Sequence, residues 1–290
     1  MKQLIIIFFC LTITTILDAQ SLSKNAAIKA CKCIDSLKTN KNFEDSIKEC
    51  AAKGLVLAYR ESSQEDKERL NYVSEMVSTL GSIYKTLPLI CYKVRKFVNT
   101  SEQKKYYSQS PNSVANQHYD FGIQKLKNED YQNAIDEFQK AIKSDKNFVN
   151  AFDNLALTYR KLKEYKKSIK FYKKSLKIFP EGDVALLNIA QVYSLLNDSE
   201  NAINYYEKFI YNYQDDPEGY FGLAKIQFLK GNYESALDNL FTANRIYINT
   251  NSVYKKDCEQ FIQIMFLKMK DLNKVDLFKS KAKLYNVGKN

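Results

Sequence analysis

The chain has 290 residues, a formal net charge of +11, six cysteines, eight glycines and one histidine. A single histidine excludes a multi-histidine metal site, and no Ser–His–Asp arrangement is recognisable around it. No G-x-x-x-x-G-K-S/T loop occurs, and the glycines are too scattered to cradle a phosphate.

Residues 1–19 read as a secretory signal peptide, with Lys2 as the positive start, an apolar run from Leu4 to Leu17 and a cleavage point at Ala19. The run is short for a membrane-spanning helix, although an uncleaved anchor is the rival reading. Cys10 does not fit a lipid-attachment site, because Phe9 precedes it and the apolar run continues past it. No later segment is long and apolar enough to span a membrane. The expectation is therefore a bacterial protein exported to the periplasm or beyond, and not integral to the membrane after cleavage. Its richness in Asn, Lys, Ile and Tyr, with the boundary Asp18-Ala19-Gln20-Ser21, resembles exported proteins of the Bacteroidota.

Residues 20–98 form a cysteine-bearing helical region, with helices expected over 22–38, 43–60 and 63–98. The last is interrupted at Pro88 and opened by a capping box from Ser62 to Glu65. Cys31 and Cys33 lie two apart on one helix and point in nearly opposite directions, so they do not bond each other. Each reaches a different neighbour, with Cys50 and Cys91 as the available partners. Disulfides are the default in an oxidising compartment. Free thiols and a four-thiolate zinc site are the alternatives, and C-x-C on a helix splays the ligands badly for a tetrahedron. In a region this small, staples matter to stability.

Residues 99–114 are polar, contain Pro111 and read as a linker. The chain then repeats itself every 34 residues: Ala134, Ser168, Ala202 and Ala236 are followed four positions later by Phe138, Tyr172, Tyr206 and Leu240. The blocks are 115–148, 149–182, 183–216 and 217–250, each with two helical stretches around a polar turn. A fixed period of this size means stacked helical units rather than a globule around one pocket. Residues 251–290 supply two more helices as a degenerate fifth repeat or cap, with Cys258 as a small core residue. The expected architecture is all-α.

The second block shows the pattern best, through Phe152, Leu155, Ala156, Tyr159, Tyr165, Ser168, Tyr172, Ser175 and Pro180. It resembles the tetratricopeptide repeat, and the other blocks match with mild departures such as Phe209 in place of a small residue. The resemblance implies a right-handed superhelix whose first helices line a concave groove. In that family His118 falls at a largely buried position.

By the same resemblance the groove takes Tyr119 and Ile123 from block one, and Asn150, Asn154, Leu157 and Arg160 from block two. Leu187, Asn188 and Gln191 follow from block three, then Phe221, Lys225 and Phe228 from block four. Asn116, Asp120, Leu126, Asp153, Val184, Ser194, Glu218 and Gly222 complete the positions. In related arrays an asparagine at the place of Asn154 and Asn188 hydrogen-bonds the backbone of an extended peptide; the bland alternative is local satisfaction of helix or water. The cationic clamp of chaperone-binding relatives is absent, since Tyr119, Ile123, Asp153 and Leu157 stand in its place. The apolar members have no expected role in holding the hairpins together, which marks them as a contact surface.

Charge adds a second candidate. Block two carries 9 Lys/Arg against 3 Asp/Glu and block three 1 against 6. Lys166, Lys167, Lys170, Lys173, Lys174 and Lys177 share the second helix of block two, on the convex side by resemblance. They are either a docking patch for an anionic partner or a solvated face. Nucleic acid is disfavoured by export and by the lack of a basic groove interleaved with aromatics. The functional expectation is an exported scaffold without catalysis or cofactor, binding a protein or peptide in its groove. The alternative is an envelope-surface binder holding anionic polymer or lipid through its basic patches.

Overall fold

The computed structural model describes residues 22–37, 42–70 and 72–287. The expected signal peptide, with Cys10 and Ala19, lies outside the described residues. No strand occurs among the described residues, and no helix there is long and apolar enough to cross a membrane. The chain forms two compact units, Met1–Ser101 and Glu102–Asn290.

In the first unit α1 covers residues 22–36, α2 Phe43–Glu61, α3 Gln64–Arg69 and α4 Val73–Ile90, and α5 (Tyr92–Tyr106) begins. Small residues bring α1 and α2 together: Ala26, Ala30, Ala51 and Ala58 are fully buried. A Cβ added to Gly54 would stand 2.4 Å from the carbonyl oxygen of Ala26, so only glycine permits this approach. Ile34, Ile83, Leu87 and Val94 fill the rest of the core. Cys31 is bonded to Cys91 and Cys33 to Cys50, with Cα–Cα separations of 5.4 and 5.6 Å. The two cysteines of α1 thus reach different elements, while Cys258 is buried and unbonded.

Three local expectations need correction. The N-cap of α3 is Ser63, whose hydroxyl accepts from the Asp66 amide, and not Ser62. Residues 63–98 are divided among three helices, and the interruption expected at Pro88 falls at Cys91, three residues later, with Pro88 inside the last turn of α4. Arg95 folds back on the end of α4, where its Nη1 donates to the carbonyls of Pro88 and Leu89 at 3.1 and 3.0 Å. Finally, residues 99–106 are the end of α5, so the irregular connection shrinks to residues 107–112.

The second unit is a row of helical hairpins. They are α6 (Ser113–Lys127) with α7 (Tyr131–Ser144), α8 (Val149–Lys161) with α9 (Tyr165–Ile178), α10 (Asp183–Leu195) with α11 (Ser199–Asn212) and α12 (Pro217–Leu229) with α13 (Tyr233–Asn249). A fifth pair, α14 (Lys255–Asp271) and α15 (Val275–Leu284), follows. In each of the four repeats the first helix stops at a residue with positive φ: Glu129, Lys163, Asn197 and Gly231, 34 residues apart. The following residue, Asp130, Glu164, Asp198 or Asn232, returns its amide to a carbonyl five residues back, the helix-ending pattern that a left-handed residue permits.

Ala134, Ser168, Ala202 and Ala236 are fully buried, as are Ala156, Ala190 and Ala224. Gly122 takes the equivalent place in the first repeat, where a Cβ would come within 2.6 Å of the Phe138 ring. The large Phe209 is accommodated by a second change: Gly219, where a Cβ would lie 2.6 Å from its ring, replaces the alanine found at that place as Ala151 and Ala185. Small and large residues exchange places across the repeat junction, and the packing volume is kept.

Candidate partner-binding groove

The inner face of the array is built from one side of α6, α8, α10 and α12, because residues three and four apart on a helix share a face. Tyr119 packs between the rings of Phe138 and Phe148, with centroids 5.9 and 5.0 Å away, and its hydroxyl accepts from Asn154 Nδ2 at 3.1 Å. Ile123 packs into the core of the first repeat junction. Asn154 spends its second amide hydrogen on the carbonyl of Asn150. Asn188 donates to the carbonyl of Val184 at 2.8 Å. Each asparagine therefore serves its own helix in part, and Asn188 keeps a donor and an acceptor unused among the described residues. Leu157 and Leu187 are half-buried on the same face. Arg160 Nη1 donates to Gln191 Oε1 at 2.6 Å and ties successive repeats across the groove.

At the far end the expectation changes. Phe221 is only 7% exposed. Its ring meets those of Tyr247 and Phe261 edge-on, and Phe228, half-buried, meets Phe261 and Tyr233. Phe261 on α14 closes over both, so these aromatics hold the fifth helical pair in place and are not exposed anchors. The repeat pattern hid this because α14 lacks the repeat's spacing. Lys225 holds its ammonium 3.8 Å from the Phe221 ring centre, and desolvation lowers its pKa against the pull of Glu218 and Asp257.

Asp153 also departs from its expected place on the surface. It is 4% exposed, and both carboxylate oxygens are buried. Burial pushes its pKa up to about 7; the nearby charge of Asp183 adds to the rise and the Ser175 hydroxyl opposes it. The ionised form is the one that folding disfavours. Stability is therefore lost as pH climbs from about 4 to about 7 and is flat above that. Asp153→Asn should remove this loss, raising the melting temperature at pH 8 but not at pH 4 relative to the parent. Equal shifts at both pH values would show that Asp153 does not titrate in this window.

Asn150 was expected in the open groove. Its Nδ2 instead donates to the backbone carbonyls of Tyr107 and Ser108, at 3.1 and 3.4 Å. Asn116, one repeat earlier at the same position, accepts from the amide of Ser110 at 2.8 Å and donates to its carbonyl at 2.7 Å. The chain's own residues 107–110 lie against this rim. Sequence alone offered one signal for it, the paired asparagines 34 residues apart.

His118, expected in the core, is half-buried, with Nδ1 2.7 Å from Glu137 Oε2, which joins α6 to α7. Lys166, Lys167, Lys170, Lys173, Lys174 and Lys177 are all exposed on α9. Three of them lie over rings: Lys167 over Tyr159, Lys173 over Tyr193 and Lys174 over Phe171. Their stems cover aromatic edges while their charges stay in water, which accounts for much of the row. In the first unit Cys31, Asp35 and Cys91 cluster within 4.8 Å, but the two sulfurs are bonded to each other and so are not thiolate ligands.

Residues 147–215 match the family profile described as tetratricopeptide repeat. Among solved structures, MamA 41-end from Desulfovibrio magneticus RS-1 superposes with a TM-score of 0.51 at 14% identity, over 62% of this chain and 100% of that one. The MamA RS-1 ArsTM double mutant gives 0.51 at 13% identity, over 62% and 99%. The array has the tetratricopeptide repeat fold. A tetratricopeptide repeat protein from Parabacteroides merdae is also similar, with a TM-score of 0.48 at 14% identity over 60% of this chain and 68% of that one. No curated protein matches the sequence.

Proposed function

We propose that this protein is an exported, non-enzymatic scaffold that holds a segment of a protein partner in its concave groove. Export rests on residues 1–19 and is consistent with two disulfides, which persist in oxidising compartments. The observation that carries the binding reading is the placement of Leu157, Leu187 and Asn188 along the inner face. Two apolar side chains remain partly exposed there beside an amide with unused hydrogen-bonding capacity. Apolar contacts with a few placed polar groups suit a peptide laid along the groove.

The test is a pull-down from the envelope fraction with quantitative mass spectrometry. Leu187→Asp with Asn188→Ala should reduce the recovered partner about tenfold to a hundredfold, as for an interface anchor worth about 1–3 kcal/mol. Lys170→Glu with Lys174→Glu should change little, and added salt should not abolish capture. The reverse pattern would mean that the basic convex face holds an anionic polymer or lipid, and the groove reading would be abandoned.

A further inference from the structure

We infer that residues 103–110 are a ligand in cis: they fill a peptide site on the rim of repeats 1–3, and a partner segment with adjacent tyrosines followed by small polar residues must displace them to bind there. This deepens the groove reading above and rests on it.

The segment is held as a peptide would be. Asn116 and Asn150 read its backbone through four side-chain amide hydrogen bonds, which is indifferent to its sequence. Tyrosines supply the selectivity. Tyr106 stacks on Phe179 with centroids 4.8 Å apart, and Tyr107 meets the same ring edge-on at 5.7 Å. The Tyr107 hydroxyl reaches the start of α10, where Gly182 leaves room: a Cβ there would stand 3.1 Å from it. At the other end Ser110 donates its hydroxyl to Asp145 at 2.5 Å.

The fit is imperfect in a way that favours exchange. The Tyr107 hydroxyl is buried beside carboxylate oxygens of Asp153 and Asp183 that are themselves withdrawn from water. Each such group lowers the affinity of the closed arrangement. The strap is also the first segment of the second unit, so it competes at the high effective concentration of a tethered ligand.

The test uses the full chain and a fluorescent synthetic peptide of residues 103–112, followed by anisotropy. The parent should not bind it. Tyr106→Ala with Tyr107→Ala opens the site and should bind the peptide; adding Asn150→Ala should weaken that binding at least tenfold, and a peptide with both tyrosines replaced by alanine should not bind. If the opened chain keeps its circular dichroism and still fails to bind, or if the parent binds as tightly, the inference is overturned. Should the double variant lose its helicity, Tyr107→Ala alone is judged by the same outcomes. The two readings fail separately: loss of the envelope partner in Leu187→Asp without peptide binding to the opened chain leaves the groove reading standing and removes the strap.

Discussion

Reduction of the oxidised protein should unfold residues 22–101 while the repeat array keeps its helicity. The bonds Cys31–Cys91 and Cys33–Cys50 close segments of 60 and 17 residues. In the chain-entropy account, loops of those sizes contribute about 4 and about 3 kcal/mol. A domain of this size has a total stability of about 5–15 kcal/mol, so the two bonds are a large share. What remains without them is an alanine-rich contact between α1 and α2 and a modest cluster around Ile83 and Leu87. Small side chains bury little apolar area, and that area is what drives folding. Melting followed by circular dichroism should show two transitions, the lower disappearing or falling by more than about 15 °C with reductant or with Cys31→Ala and Cys33→Ala, and the upper unmoved. Cys258 does not confound the result: it is buried, and its thiol is pushed up to about 12. A lower transition that ignores reductant would mean that the alanine-lined core suffices alone.

The second large effect belongs to Phe138. Its fully buried ring lies against Gly122 and Tyr119, in a cluster with Ala134, Ile135, Leu155 and Tyr159. Removing such a ring leaves a cavity at the junction of the first two repeats, and Phe138→Ala should cost about 3–5 kcal/mol. Stability in stacked repeats is close to a sum of repeat terms and nearest-neighbour terms, so the loss should be local. Hydrogen exchange should show α6 and α7 unprotected while α10 to α13 keep their protection. Equal loss of protection in all four repeats would show that the array unfolds as one cooperative unit.

The periodic parts of this architecture were legible in the sequence, and the aperiodic parts were not. Small residues spaced by 34 place the hairpins because close helix approach forbids anything larger there. The opposed directions of Cys31 and Cys33 follow from helical geometry alone. The fate of Phe221 depended on α14, whose Phe261 sits outside the repeat's spacing, so a covered ring read as an exposed one. Residues 99–106 are polar yet helical: their stabilisation comes partly from Tyr106 stacking on Phe179, more than 70 positions along the chain, which no local pattern reveals. Asp153 carried a surface residue's chemistry at a buried position. The repeat period places polar residues such as Asn150 and Arg160 on the first helices, but their hydrogen-bond partners, the Tyr107 carbonyl and Gln191, required the structure.

The inner face of the repeats is the face proposed to meet a partner. A photo-activatable residue in place of Leu187, in protein mixed with its own envelope fraction and irradiated, tests it most directly. A single dominant cross-linked protein is expected, lost when Asn188→Ala is added, with no such product from the same residue in place of Lys170. Cross-linking from position 170 with none from position 187 would contradict it.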